Sequence, residues 1–225
     1  MPKRPDAADT SNPVPVICGM TLKQCIDQLM NNSVSLTRSP ALMDRQDTGL
    51  LVVDVQEKLI ELIRGHRSLV WNISRLLRAA RQMEVPVFAT EQYPQGLGAT
   101  VAELMEHLED IPEKLTFSCA GCPDLVKSWR EADVFKILVA GIESHVCIQQ
   151  TVLDLLANGF QVYVAVDAVG ARRKVDHEVA VQRMEAAGAV VTTTEAALFE
   201  WCQVAGTPEF KEISRLVREN PPEDS

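Results

Sequence analysis

The sequence predicts an α/β fold, a mainly parallel sheet with helices on both faces. Three observations lead there. From residue 49 onward, strand-like apolar runs alternate with amphipathic helical stretches, the order expected of βαβ units. The runs at 49–55 and 134–142 are almost wholly apolar, as strands covered on both faces are. Glycine or proline punctuates the stretches, as at Pro86, Gly159 and Gly188, and separates them into elements.

Residues 1–46 are set apart as an N-terminal extension and 47–225 as the domain. Residues 1–15 are polar and proline-bearing, which predicts a flexible arm. Residues 21–30 predict a short helix with Leu22, Cys25, Ile26 and Leu29 on one stripe. The domain then opens with the strand 49–55, whose one charge is Asp54. A helix follows over 68–83, with Leu69, Ile73, Leu76, Ala80 and Met83 on one face and Gly65 ahead of its start. The next strand, 85–90, has its proline at the entrance. Short helices are predicted at 100–108 and 123–131, with an extended piece at 113–118 between them. The strand 134–142, interrupted only by Lys136, leads into a helix over 144–158 that Gly159 stops. Ser144 is the predicted N-cap. A strand at 161–166 ends at Asp167; a helix at 174–187, a strand at 189–193 and helices at 194–203 and 208–218 complete the chain.

Composition bounds the function. The 225 residues suffice for one substantial domain. A net charge of −9 and the lack of any basic run argue against nucleic acid. No apolar stretch reaches the ~20 residues of a membrane span, and residues 1–13 lack a signal-peptide core. A cytoplasmic location is expected, with the six cysteines reduced.

Ligands of open parallel sheets bind beyond the carboxyl ends of the strands, and Asp54, Cys147 and Asp167 all fall at such ends. Asp54 closes an otherwise apolar strand, where a carboxylate needs either a partner or a task; a turn carboxylate is the plain alternative. Cys147 falls in the first turn of a helix, whose dipole favours a thiolate and so predicts an acidified thiol reacting below the ordinary thiol range. Its plain alternative is a core cysteine. Lys114, on the extended piece, reads by itself as protection of a sheet edge. Cys119 and Cys122 form a CxxC with neither a redox context nor the further ligands of a zinc site. Gly96-Leu97-Gly98 lacks the third glycine of a phosphate loop. The four histidines show no metal spacing, and no GxSxG is present.

Taken together, Leu51-Val52-Val53-Asp54-Val55-Gln56, then Lys114 with Phe117-Ser118, then Gly141-Ile142-Glu143-Ser144-His145-Val146-Cys147 resemble the isochorismatase-like cysteine hydrolases, which include nicotinamidases. The stretch from Thr90 to Gly98 resembles that family's isochorismatase-domain-protein branch. The resemblance implies a three-layer, Rossmann-like fold with a six-stranded sheet, and a triad of Asp54, Lys114 and Cys147. It also implies a cis peptide between Ile142 and Glu143, an oxyanion hole from the backbone N–H groups of Glu143 and Cys147, and a substrate pocket at Gln56, Tyr93, Phe117 and Ile142. Nicotinamidases carry an Asp-x-His beside the pocket for a metal, whereas this chain reads Thr90-Glu91-Gln92-Tyr93. No metal or cofactor is therefore expected. The implied activity is hydrolysis of a small amide, carbamoyl or ester substrate through a Cys147 thioester, in a homo-oligomer without nucleic-acid or membrane partners. The alternative is a weak or inactive member serving as a binding scaffold.

Overall fold

The protein was analysed as a computed structural model, which describes residues 37–223. The helix expected at 21–30 lies outside them. The sheet and its helices belong to the compact unit Ala41–Ser225. Its strands are β1 (Thr48–Val53), β2 (Val87–Gln92), β3 (Glu113–Lys114), β4 (Lys136–Ile142), β5 (Gln161–Gly170) and β6 (Val190–Thr192). They form one six-stranded sheet in the order β3-β2-β1-β4-β5-β6, and every pairing is parallel. The helices are α1 (Glu57–Ile60), α2 (His66–Met83), α3 (Pro94–Leu97), α4 (Ala102–Met105), α5 (Pro123–Glu131), α6 (Gln149–Ala157), α7 (Lys174–Ala186), α8 (Thr194–Cys202) and α9 (Pro208–Val217).

The period of two along a strand divides the core. Leu50 and Val52 of β1 belong to one cluster, with Ile73 and Leu76 of α2, Trp201 of α8 and Ile213 of α9. Leu51 and Val53 belong to the other, with Trp129 of α5, Val152 of α6 and Met184 of α7. That is the expected three-layer α/β/α fold, with a core on each side of the sheet. Each fully buried Leu or Ile contributes roughly 1.5–3 kcal/mol, so both layers are firmly held to the sheet. On the second face Trp129 packs edge-on between Phe88 and Phe160, with ring centroids 5.5 and 5.6 Å away. Lys136 does not break β4. Its stem is buried, and its ammonium donates to the Leu42 carbonyl and the Asp47 carboxylate, both at 2.8 Å.

Several elements depart from the sequence expectation. β3 is two residues long, because the chain after Lys114 turns inward to serve that lysine. The helix expected at 144–158 is divided: Ser144–Ile148 forms a wide, π-type turn before α6 begins. Ser144 is not its cap. Glu143 takes that position without a side-chain bond, and the Ser144 hydroxyl instead shares a hydrogen bond with His177 Nδ1 at 2.9 Å. β5 runs on past Asp167, which is therefore not at a strand end. The Asp167 carboxylate accepts from the N–H and hydroxyl of Thr194 at 2.8 and 3.0 Å, tying down the start of α8.

Candidate active site

The sheet order reverses between β1 and β4, which is where open α/β sheets leave a crevice. Gly141 of β4 pairs with Val53 of β1 at its edge. Its φ is +123°, and a Cβ there would run into the Val53 backbone. Only glycine allows the two strands to approach so closely, and the residues that follow each of them meet as a result.

Asp54 follows β1 with φ +53°, a left-handed conformation that aspartate tolerates better than most residues. The chain turns at once, as the Gln56 N–H donates to the Asp54 carbonyl at 2.8 Å. The carboxylate is left fully buried. Its Oδ1 accepts from the Thr90 hydroxyl at 2.9 Å, and its Oδ2 from Lys114 Nζ at 2.6 Å. Lys114 is also buried. Its ammonium reaches Gln92 Oε1 at 2.8 Å and the carbonyls of Thr116 and Phe117 at 3.3 and 3.0 Å. A buried ion pair is tolerated only when further hydrogen bonds meet its remaining polar atoms, and here they do.

Cys147, in the turn after β4, lies beside the Asp54 carboxylate, whose charge acts on its thiol. The three residues expected to converge thus do so, with Asp54 in the middle. Burial pushes the Asp54 carboxyl up from its ordinary value, against the opposing pull of Lys114. Burial also pulls on the Lys114 ammonium to lower its pKa, but attraction to Asp54 and to the two nearby sulfurs leaves it raised. The Cys147 thiol lies far above the ordinary thiol range, first because it is buried and next because of the Asp54 charge. This corrects the expectation of an acidified cysteine. The dipole of one irregular turn is outweighed by desolvation and by an adjacent anion. At rest the site holds a neutral thiol beside a carboxylate.

The peptide between Ile142 and Glu143 is cis. The Glu143 carboxylate is held by Arg172, which donates from its backbone N–H at 3.1 Å and from Nε at 3.0 Å. The Glu143 carbonyl accepts from Val146 and Ile148 at 3.0 and 3.2 Å, on either side of Cys147.

The four expected pocket residues divide. Tyr93 and Phe117 are each 51% exposed, beside the strand ends. Gln56 is fully buried. Its amide donates to the carbonyls of Gln92 and Gly98 at 3.1 and 2.7 Å and accepts from the Gln92 N–H at 2.8 Å. That amide is therefore occupied in joining the loops after β1 and β2, and Gln56 is corrected to a structural tie. Ile142 is likewise fully buried in the core and offers no surface to a ligand.

Sequence reasoning missed Thr90 and Gln92, which contact Asp54 and Lys114 directly. The signal was present, since they are polar residues two apart at the end of a buried strand, as Asp54 is on its own. It also missed Cys119. That sulfur lies 3.5 Å from the Thr90 hydroxyl, and burial followed by the Asp54 charge pushes its thiol up to about 11. Cys119 and Cys122 are both free thiols. Among the described residues no group of three or more His, Cys, Asp or Glu could hold a metal ion, and no helix is long and apolar enough to cross a membrane.

Fold and site together define an α/β protein of the doubly wound class, with a buried carboxylate–ammonium pair and a thiol at its switch point. The family model of the isochorismatase domain matches residues 48–196, and the chain belongs to that family. Isochorismatase domain-containing protein 2 of Macaca fascicularis is 42% identical over 176 residues, covering 77% of this chain and 84% of that one. Among solved structures, one described as MAR1 ribonuclease from Caenorhabditis elegans is 37% identical with a TM-score of 0.74, covering 81% of this chain and 95% of that one. The YcaC gene product of Escherichia coli, described as an octameric hydrolase of unknown specificity, is 26% identical with a TM-score of 0.69, covering 75% of this chain and 85% of that one.

Proposed function

We infer that the protein is a cysteine hydrolase that cleaves a small amide, carbamoyl or ester substrate through a thioester on Cys147. The observation that carries this reading is the buried Asp54 carboxylate, held by Lys114 at 2.6 Å and lying beside the Cys147 thiol. In the reaction, Asp54 takes the thiol proton as sulfur bonds to the substrate carbonyl carbon. The N–H groups of Glu143 and Cys147 receive the developing oxyanion. Asp54 then passes the proton to the leaving amine as the C–N bond breaks, leaving the thioester. Water attacks next and gives its proton to Asp54. The acid departs, and the proton returns to sulfur. Lys114 keeps Asp54 anionic between steps and does not touch the substrate. Because the thiol is neutral at rest, proton removal and attack belong to one event.

Membership of the isochorismatase family supports hydrolysis, and the octameric E. coli neighbour supports assembly into a homo-oligomer. The worm neighbour's name speaks of a ribonuclease, but a net charge of −9 weighs against a polyanionic substrate. The test is a hydrolysis panel of small amides, carbamoyl compounds, esters and one RNA oligomer, with Cys147→Ala as control and intact mass to trap the acyl-enzyme. Turnover that survives in Cys147→Ala would remove the covalent mechanism. The deep burial of Cys147 favours one second reading, a binding scaffold of weak activity. Silence across the panel, with no acyl adduct on Cys147, selects it.

A further inference from the structure

A feature away from the triad carries an inference independent of the hydrolase reading. β3 covers β2 only at Glu91 and Gln92. Upstream, the edge of β2 is open. The ladder stops there for a local reason: Pro112 precedes β3 and has no N–H to offer β2, and Asp110, at φ +48°, turns the chain away. The hydrogen bonds to β1 settle which β2 groups face the gap. The Leu50 N–H donates to the Pro86 carbonyl and the Asp54 N–H to the Thr90 carbonyl. Pro86, Phe88 and Thr90 therefore face β1, and Val87 and Ala89 face outward. β3 pairs with β2 only at Glu91 and Gln92, so neither neighbouring strand supplies a partner to these outward N–H groups. Ala89 is only 4% exposed, and main-chain donors left open at a buried residue call for a partner.

These groups open into a groove of about 850 Å³. Its floor is apolar, from Val87, Phe88 and Leu125, and Glu109, Asp110, Glu113 and Asp124 stand in its wall. The one lysine that contributes, Lys114, has its ammonium turned to Asp54. The groove therefore presents free strand-edge groups, an apolar floor and uncompensated negative charge.

We propose that this groove is a docking site for an extended, basic peptide segment of another protein, which adds as a strand to the open edge of β2. Main-chain bonds to Val87 and Ala89 hold the peptide, its alternate apolar side chains rest over Phe88 and Leu125, and its Lys or Arg side chains meet the acidic wall. This is strand addition, in which backbone bonding gives affinity and alternate side chains give selectivity. The charge pattern favours a cationic segment over the acidic surface of a second copy of this chain.

The probe is a fluorescent peptide of alternating Lys and Val, titrated by anisotropy against the full chain at low and physiological salt. Two further peptides carry N-methyl groups on alternate residues, one in each register. The expected result is saturable binding that one N-methyl register abolishes and the other preserves. The double variant Glu109→Lys/Asp124→Lys should weaken it by about tenfold or more. Both substituted residues are exposed, so an unchanged melting temperature serves as the control for folding. Absence of binding would overturn the proposal, as would binding indifferent to both N-methyl registers, which is polycation adsorption. If instead the charge reversals change the chain's own mass by light scattering while the peptide fails to bind, the occupant is a second copy and the proposal falls.

Discussion

In the proposed mechanism Asp54 governs the protons of the site, and substituting it should separate the reactivity of the thiol from turnover. The Asp54 charge raises the Cys147 thiol, whereas Lys114 lowers it. Asp54→Asn removes the first and keeps the second. Cys147 should therefore react faster with iodoacetamide at neutral pH than in the unmodified protein, where labelling should rise only above the ordinary thiol range. Amide hydrolysis should fall by roughly 10²–10⁴, because base and acid are both lost. Rates of mass gain and of turnover, measured side by side, check this; parallel losses would show that Asp54 does not hold the thiol proton. Lys114→Met acts on the other side of the carboxylate. It leaves a buried anion without its partner, a change that destabilises by about 3–5 kcal/mol. The pH dependence has a definite sign. The folded Asp54 carboxyl is already raised above its ordinary 3.8, and losing Lys114 raises it further. A group raised in this way contributes stability that is present below the unfolded value and lost as pH rises through the folded one. The deficit of Lys114→Met should thus be largest near neutrality and shrink as pH falls toward that ordinary value, as denaturant midpoints across pH would show.

Among the elements, β1 and β4 depend on Gly141 and α2 depends on the C-terminal end of the chain. Gly141→Ala places a Cβ against the Val53 backbone at a φ of +123°. Backbone strain alone is on the order of 1–3 kcal/mol, and the strands must also part. The expected outcome is a lower melting temperature together with lost turnover, since Asp54 and Cys147 follow the separated strands; full activity would mean that the approach is not needed. Arg78 of α2 donates from both terminal nitrogens to Glu219, at 2.9 and 2.6 Å, beyond the end of α9. The hydrogen bond from Arg78 is the main cause holding the Glu219 carboxyl below its usual range. A lowered acid contributes stability that is present above its unfolded value and lost as pH falls through the folded one. At this partly exposed pair the contribution is about 1 kcal/mol at most. Arg78→Ala should cost that near neutrality and nothing in strong acid, as chemical denaturation at the two pH values would show.

At the scale of the whole molecule, the alternation of strands and helices was legible because β1 and β4 are buried on both faces and read as continuous apolar runs. The π-type turn at Ser144–Ile148 was not legible, because its composition suits a helix start and its geometry is imposed by the packing of β4, α7 and Glu143 with Arg172. Asp54 stood out as a lone charge in an apolar strand. Lys114 did not, since a lysine near a sheet edge is common and only the inward turn of residues after it buries the ammonium. The acidity of Cys147 was misjudged for a related reason: a local sequence pattern announces a helix dipole, whereas desolvation and a neighbouring charge come from residues distant in the chain. The proposed homo-oligomer is the expectation that reaches furthest beyond one chain. α7 buries Ala180 and Met184 against the sheet, yet its opposite side carries Val175 at 61% and Val179 at 48% exposure, one turn apart. Apolar side chains stacked on an outer helix face are what an interface between copies would cover. The double variant Val175→Glu/Val179→Glu introduces like charges into that face without touching the core. Light scattering should give an assembly for the unmodified chain and a smaller species for the variant, with far-ultraviolet circular dichroism unchanged. A monomeric unmodified chain would remove the assembly, and an unaltered mass in the variant would place the interface elsewhere than on α7.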